Sequence, residues 1–119
     1  MRTQRSIERH QLPYYLKVFN RITDKPMGSI GNVSLDGLML ISPLPMLLNA
    51  RFDMRLKIPG RDGHLHFVDF HGTCQWCRED VTPGSFDSGF ALVAPPHDYV
   101  EMVDALRYYF SFRSIGASA

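Results

Sequence analysis

The sequence predicts a mainly β domain: a six-stranded antiparallel β-barrel with a C-terminal α-helix and a flexible N-terminal arm. Three observations carry this expectation. Six short runs rich in aromatic and β-branched residues follow one another, separated by clusters of Gly, Pro, Asp and Asn. Only the last apolar stretch changes its period from two to about 3.6. Ahead of the first run, residues 1–12 hold three arginines, with Ile7 and Leu12 the only large apolar side chains after Met1. A chain of 119 residues fits one domain with one core. Six antiparallel strands hide their edges best by closing, and a terminal helix can cover an opening.

The elements follow in order. The arm, with Arg2, Arg5 and Arg9, ends at Pro13, and the barrel with its helix is expected over 13–113. "YYLKVFN" begins a strand, "DKPMG" turns the chain, and "SIGNVS" pairs with "LMLIS" across Asp36-Gly37. Gly at that turn supplies the positive φ of a primed hairpin. The run "PLPMLL" is expected to plug one barrel end with Leu44, Met46, Leu47 and Leu48, or else to present a partner surface. In "ARFDMRLKIPG", Phe52, Met54, Leu56 and Ile58 share one face of a half-buried strand. "HLHFVDFHGTCQWCRE" is long for one strand, so Gly72 is expected at a bulge or bend. The connection over 78–86 is longer than a simple hairpin requires, and "FDSGFALVA" is the last strand. A helix is expected from about 97 to 113, with Tyr99, Val100, Val103, Leu106 and Phe110 on its stripe. Asp98 and Glu101 resemble a capping box there, and residues 114–119 form a disordered tail.

Composition narrows the function. The net charge is +1, which argues against a general polynucleotide binder. Ten arginines stand against three lysines, and Arg grips phosphate or a guanine edge through a planar fork. The N-terminus has no apolar signal region and no stretch is long enough to span a bilayer, so a cytoplasmic protein without membrane insertion is expected. Cys74 and Cys77 are then reduced. With His64, His66 and His71 they could bind a soft metal, but on a regular strand the two cysteines point to opposite faces. No metal is expected. Asp69 and His71 have no identifiable nucleophile to complete a catalytic set, so no enzyme is expected either.

Two constellations carry chemistry. Arg5-x-x-x-Arg9 sets two guanidiniums four residues apart, able to converge on one diphosphate ligand. Alone, it reads as a solvated basic terminus. Asn32-x-Ser34-x-x-Gly37 offers a donor and acceptor amide beside a hydroxyl, an inventory that suits a purine edge. Alone, it reads as local bonding at a hairpin. Together, "RSIER" and "NVSLDG", in this order and one strand apart, resemble the PilZ domain family of bacterial cyclic di-GMP receptors. "GLMLISPLP", "CQW", "SGFALV" and the closing helix continue the resemblance over about residues 2–112.

The resemblance implies a PilZ-type six-stranded β-barrel, in a single-domain, stand-alone member. It implies that Arg5 and Arg9 reach guanine edges and phosphates, that Asn32 and Ser34 read a guanine, and that Gly37 closes the hairpin beneath it. Gln4 occupies the position before the first motif that bears on whether one ligand or a stacked pair binds, and Arg2 lies near it out of register. Trp76 could stack on a guanine and Arg78 would share its strand face, although a lone Trp in a small barrel is ordinarily core. No cofactor is expected. The expected partners are cyclic di-GMP and a protein effector, which an ordered arm would signal to in motility or biofilm regulation; a homodimer is compatible with this. Two rival readings are a PilZ-type adaptor without nucleotide binding and a small barrel that binds single-stranded nucleic acid.

Overall fold

The computed structural model describes residues 15–59 and 62–106. The arm with Arg2, Gln4, Arg5 and Arg9 lies outside the described residues, as do the end of the expected helix and the 114–119 tail. The strands are β1 (Lys17–Asn20), β2 (Pro26–Ser34), β3 (Gly37–Ser42), β4 (Arg51–Pro59), β5 (Leu65–Glu79) and β6 (Phe86–Leu92). Helix α1 covers 97–106. Every pairing is antiparallel, and the order β1-β2-β3-β6-β5-β4 closes where β4 meets β1. The expected six-stranded barrel with a terminal helix is the observed fold. Following the strand directions, the β2–β3 turn, the root of β1 and α1 gather at one end. The 43–50 and 80–85 connections lie at the other.

Alternation builds the core. β4 turns Met54, Leu56 and Ile58 inward, where they meet Val18, Ile30, Leu40, Val68 and Phe70. Burying each such side chain stabilises the fold by about 1.5–3 kcal/mol. Helix α1 adds Tyr99, Met102, Val103 and Leu106, all fully buried at the spacing of one helical face. Val100 falls beside that face and is 36 % exposed, so Met102 takes the place expected for it. The expected capping box does not form. The Pro96 carbonyl accepts the N–H groups of Tyr99 and Val100, which sets Asp98 inside the first turn, and Glu101 pairs instead with His97 at 3.4 Å.

Several expectations need correcting. The first turn spans 21–23 rather than "DKPMG", because Asn20 Oδ1 accepts the N–H groups of Ile22 (2.8 Å) and Thr23 (3.0 Å). Pro26 then opens β2, where a strand tolerates a residue without an N–H. Gly72 is regularly paired with Phe52 and Leu92. Its role is space, since a Cβ there would lie 2.7 Å from the Ala91 carbonyl oxygen. The bulge of β5 lies at Gln75: Cys74 pairs with Phe90, and Trp76 with Gly89. One extra residue reverses the parity beyond it, so Cys77 packs against the core on the same side as Cys74 rather than on the opposite face. Among the described residues, no group of three His, Cys, Asp or Glu converges as a metal site.

The 43–50 connection is only partly the plug expected. Met46 packs on the core and its N–H donates to Cys77 Sγ at 3.4 Å, but Leu44, Leu47 and Leu48 are 69 %, 74 % and 57 % exposed. The 78–86 segment continues the β5–β6 ladder to Glu79↔Phe86, and Asp80 N–H closes the remaining loop on the Ser85 carbonyl at 2.7 Å. On the outer wall, Arg55 and Asp69 face each other across β4 and β5 in a two-pronged ion pair of 2.7 and 3.1 Å. Arg55 also lies 4.2 Å from the Phe67 ring centroid. Among the described residues, no helix is long and apolar enough to cross a membrane.

Candidate functional site

The β2–β3 hairpin carries Asn32, Ser34 and Gly37, and a bulge decides which way they point. Ile30 pairs with Leu40 and Asn32 with Met39, so Gly31 is the extra residue. Ile30 and Val33 are both buried, while Asn32 and Ser34 are exposed on one face. Without the insertion, Asn32 would share the inward face of Ile30. Each polar side chain is also tied locally. Asn32 Oδ1 accepts the Val33 N–H at 2.9 Å, which leaves its amide nitrogen without a partner among the described residues. Ser34 Oγ lies 3.1 Å from Asp36 Oδ1 and 3.3 Å from the Gly37 carbonyl, so its single proton is committed and its lone pairs can accept. The pair thus presents fixed donors from Asn32 beside an acceptor from Ser34.

Gly37 corrects the expectation of a primed turn. Ser34 pairs with Gly37 around the two-residue loop Leu35-Asp36, and none of these residues has a positive φ. The glycine is needed for room instead. A Cβ at position 37 would lie 2.8 Å from the Phe90 carbonyl oxygen on β6.

Registers place the rest of the site in one row across four strands. Asn32 on β2 pairs with Met39 on β3, Met39 with Gly89 on β6, and Gly89 with Trp76 on β5. The Gln75 bulge turns Trp76 outward just as the Gly31 bulge turns Asn32 outward. Trp76 is therefore not the core residue that a lone Trp ordinarily is; it is 39 % exposed. Gly89 is its seat. A Cβ there would overlap Nε1 and Cε2 of the indole and lie 2.9 Å from Cδ1. Between hairpin and indole runs an open groove of about 380 Å³ whose lining includes Asn32, Ser34, Gly37, Met39, Trp76 and Gly89. The Arg78 guanidinium stands 5.2 Å from the Trp76 ring centroid, at the same wall but not in the groove lining. Asp36 is the one charged side chain of the described lining.

Of the residues expected from sequence, the structure brings Asn32, Ser34, Gly37 and Trp76 to one groove and Arg78 beside it. Arg2, Gln4, Arg5 and Arg9 lie outside the described residues. β1 runs antiparallel to β2, with Lys17 opposite Ser29, so the chain enters the barrel from the end that carries this hairpin. Met39, Gly89 and Asp36 were missed as groove residues. Gly89 had a usable signal, because a glycine inside a strand marks close approach by a neighbour.

A family model described as "PilZ domain" matches residues 3–109 of the chain. The chain belongs to the PilZ domain family. PilZ domains bind cyclic di-GMP and form a receptor family that acts on protein effectors. The family is one of binding domains and is not known to be catalytic. No curated protein and no solved structure matches the chain significantly.

Proposed function

We propose that this PilZ domain is a cytoplasmic cyclic di-GMP receptor whose groove reads a guanine and whose N-terminal arm supplies the charge for the phosphates. The single observation that supports this most is the Asn32–Met39–Gly89–Trp76 row, which sets a polar edge-reader and an aromatic face on either side of one groove. Asn32 Nδ2 donates to a guanine acceptor such as O6 or N7, Ser34 accepts from a guanine N–H, and Trp76 offers a stacking face. Arg5 and Arg9 clamp the dinucleotide, with Arg78 and Arg2 as further cations near it and Gln4 bearing on stoichiometry. Six residue steps separate Arg9 from Tyr15. They span up to ~20 Å when extended, which brings Arg9 within reach of a groove at the same barrel end. Drawing the arm over the wall creates a new surface, and a protein effector reads it.

Calorimetric titration with cyclic di-GMP tests the reading and gives the stoichiometry. Arg5→Ala and Arg9→Ala are expected to weaken binding by about tenfold or more, because each removes charge-assisted hydrogen bonds, while the melting temperature of the free protein stays the same. Ser34→Ala is expected to weaken binding less, since a neutral group is lost. Absence of heat at high micromolar ligand would leave the domain as an adaptor without nucleotide binding. Normal binding by both arginine variants would remove the arm from the site.

A further inference from the structure

The loop that presents Ser34 has an unfavourable build for a hairpin. Two-residue hairpins close best through primed turns with positive φ, because other turn types splay the strands. Leu35, Asp36 and Gly37 all have negative φ, so the hairpin requires support from outside. Two contacts supply it. The Leu92 N–H donates to the Asp36 carbonyl at 2.9 Å, and the Tyr99 hydroxyl lies 3.2 Å from both the Ser34 and the Gly37 carbonyl oxygens. We propose that Tyr99 is a positioning residue of the ligand groove: from α1, its hydroxyl holds the two carbonyls that flank the loop and so fixes the backbone on which Ser34 is presented.

The geometry suits that task. Tyr99 is fully buried, and its ring packs on Phe70 at a centroid distance of 5.0 Å, so the hydroxyl cannot wander. One proton shared between two carbonyls draws them together across the loop. Burial, with the Asp36 carboxylate nearby, pushes the phenol far above its ordinary range and keeps it a donor. The bonds join residues 65 and 62 positions apart, so hairpin and helix are linked. Linkage is reciprocal: whatever steadies the hairpin steadies α1 by the same free energy.

This inference rests on the proposed ligand reading, and the experiment separates the two. Amide exchange is measured on the wild type, on Tyr99→Phe and on Phe70→Leu, which loosens the same ring but keeps the hydroxyl. In Tyr99→Phe, exchange over 33–38 is expected to rise about fivefold relative to β4–β5, and the Kd for cyclic di-GMP to weaken about fivefold. In Phe70→Leu, exchange rises in the hairpin and in β4–β5 together. Site-specific 3-fluorotyrosine, a stronger donor of nearly the same volume, is expected to slow hairpin exchange, which covers the case of a Tyr99→Phe chain that does not fold. Hairpin exchange unchanged relative to β4–β5 overturns the proposal, as does a loosened hairpin with an unchanged Kd. Should the wild type not bind cyclic di-GMP, the functional reading falls, and the exchange ratios, measured without ligand, still decide whether Tyr99 holds the hairpin.

Discussion

Gly89→Ala puts the wall of the groove to a direct test. A methyl at this position would overlap the Trp76 indole, and the atoms it meets belong to a rigid ring rather than the end of a flexible chain. The ring has to swing off its seat. Trp76 is 39 % exposed, so about three-fifths of its surface is covered. With ~250 Å² for the whole side chain, that cover is ~150 Å², worth at most ~4 kcal/mol at about 25 cal/mol per Å². A swing that exposes half of it costs ~2 kcal/mol, or roughly a 10 °C fall in melting temperature for a domain of this size. The chain contains a single tryptophan, so fluorescence excited at the red edge, where its five tyrosines do not absorb, reports this ring alone. The variant is expected to show red-shifted emission, a lower melting temperature and weaker quenching by cyclic di-GMP. Unchanged emission together with an unchanged melting temperature would refute the claim that Gly89 seats the indole.

Two further expectations concern stability. Arg55 donates to Asp69 and holds its carboxyl below the usual range, so the pair stabilises the fold above the unfolded carboxylate pKa of about 4 and loses that contribution as pH falls through the depressed value. Asp69→Asn is therefore expected to flatten the acid limb of a melting-temperature profile against pH; the side chains are 22 % and 35 % exposed, so screening keeps the effect to a few degrees. In the 43–50 connection, Leu44→Ser and Leu47→Ser are expected to change stability by less than about 0.5 kcal/mol, whereas Leu40→Ala, in the core, costs about 2–5 kcal/mol in a denaturant titration.

Period and punctuation make the barrel legible in the sequence. Alternation in "RFDMRLKI" sets Met54, Leu56 and Ile58 inward, and the same alternation is observed. What the alternation could not carry was a break in its own parity. The glycine in "SIGNVS" allows a bulge at Gly31 without fixing it, and nothing in "CQW" announces that Gln75 is an extra residue, since a bulge is a relation to the partner strand and not a property of one strand. The face shared by Asn32 and Ser34 was legible because both lie beyond their bulge. The faces of Cys74 and Cys77 were misread because the Gln75 bulge lies between them. Gly37 was legible as a required glycine and misread in its reason: its constraint comes from Phe90, fifty-three positions along the chain. Tyr99 was legible as a core residue, but its hydroxyl partners belong to the far hairpin.

The electrostatics of the groove bear on the proposed division of labour between wall and arm. Cyclic di-GMP carries two phosphodiesters and hence two negative charges, yet the described lining contains no cation and one carboxylate, Asp36. At ~8 Å with an effective dielectric between 40 and 80, each like-charge pair opposes binding by about 0.5–1 kcal/mol. The wall can therefore read a base but works against the phosphates, and the cations have to come from elsewhere; Arg5 and Arg9 are the proposed source. Asp36→Asn isolates this term. An asparagine oxygen can still accept from Ser34 Oγ, which lies 3.1 Å from Asp36 Oδ1, so the loop keeps its bond while the charge is removed. Relief of even one such pair is expected to tighten binding by about twofold to fivefold at low salt, with the gain fading as ionic strength rises and the Debye length shrinks. Weaker binding by the variant would show that the Asp36 carboxylate accepts from the ligand itself, and the division between a base-reading wall and a phosphate-binding arm would then be wrong.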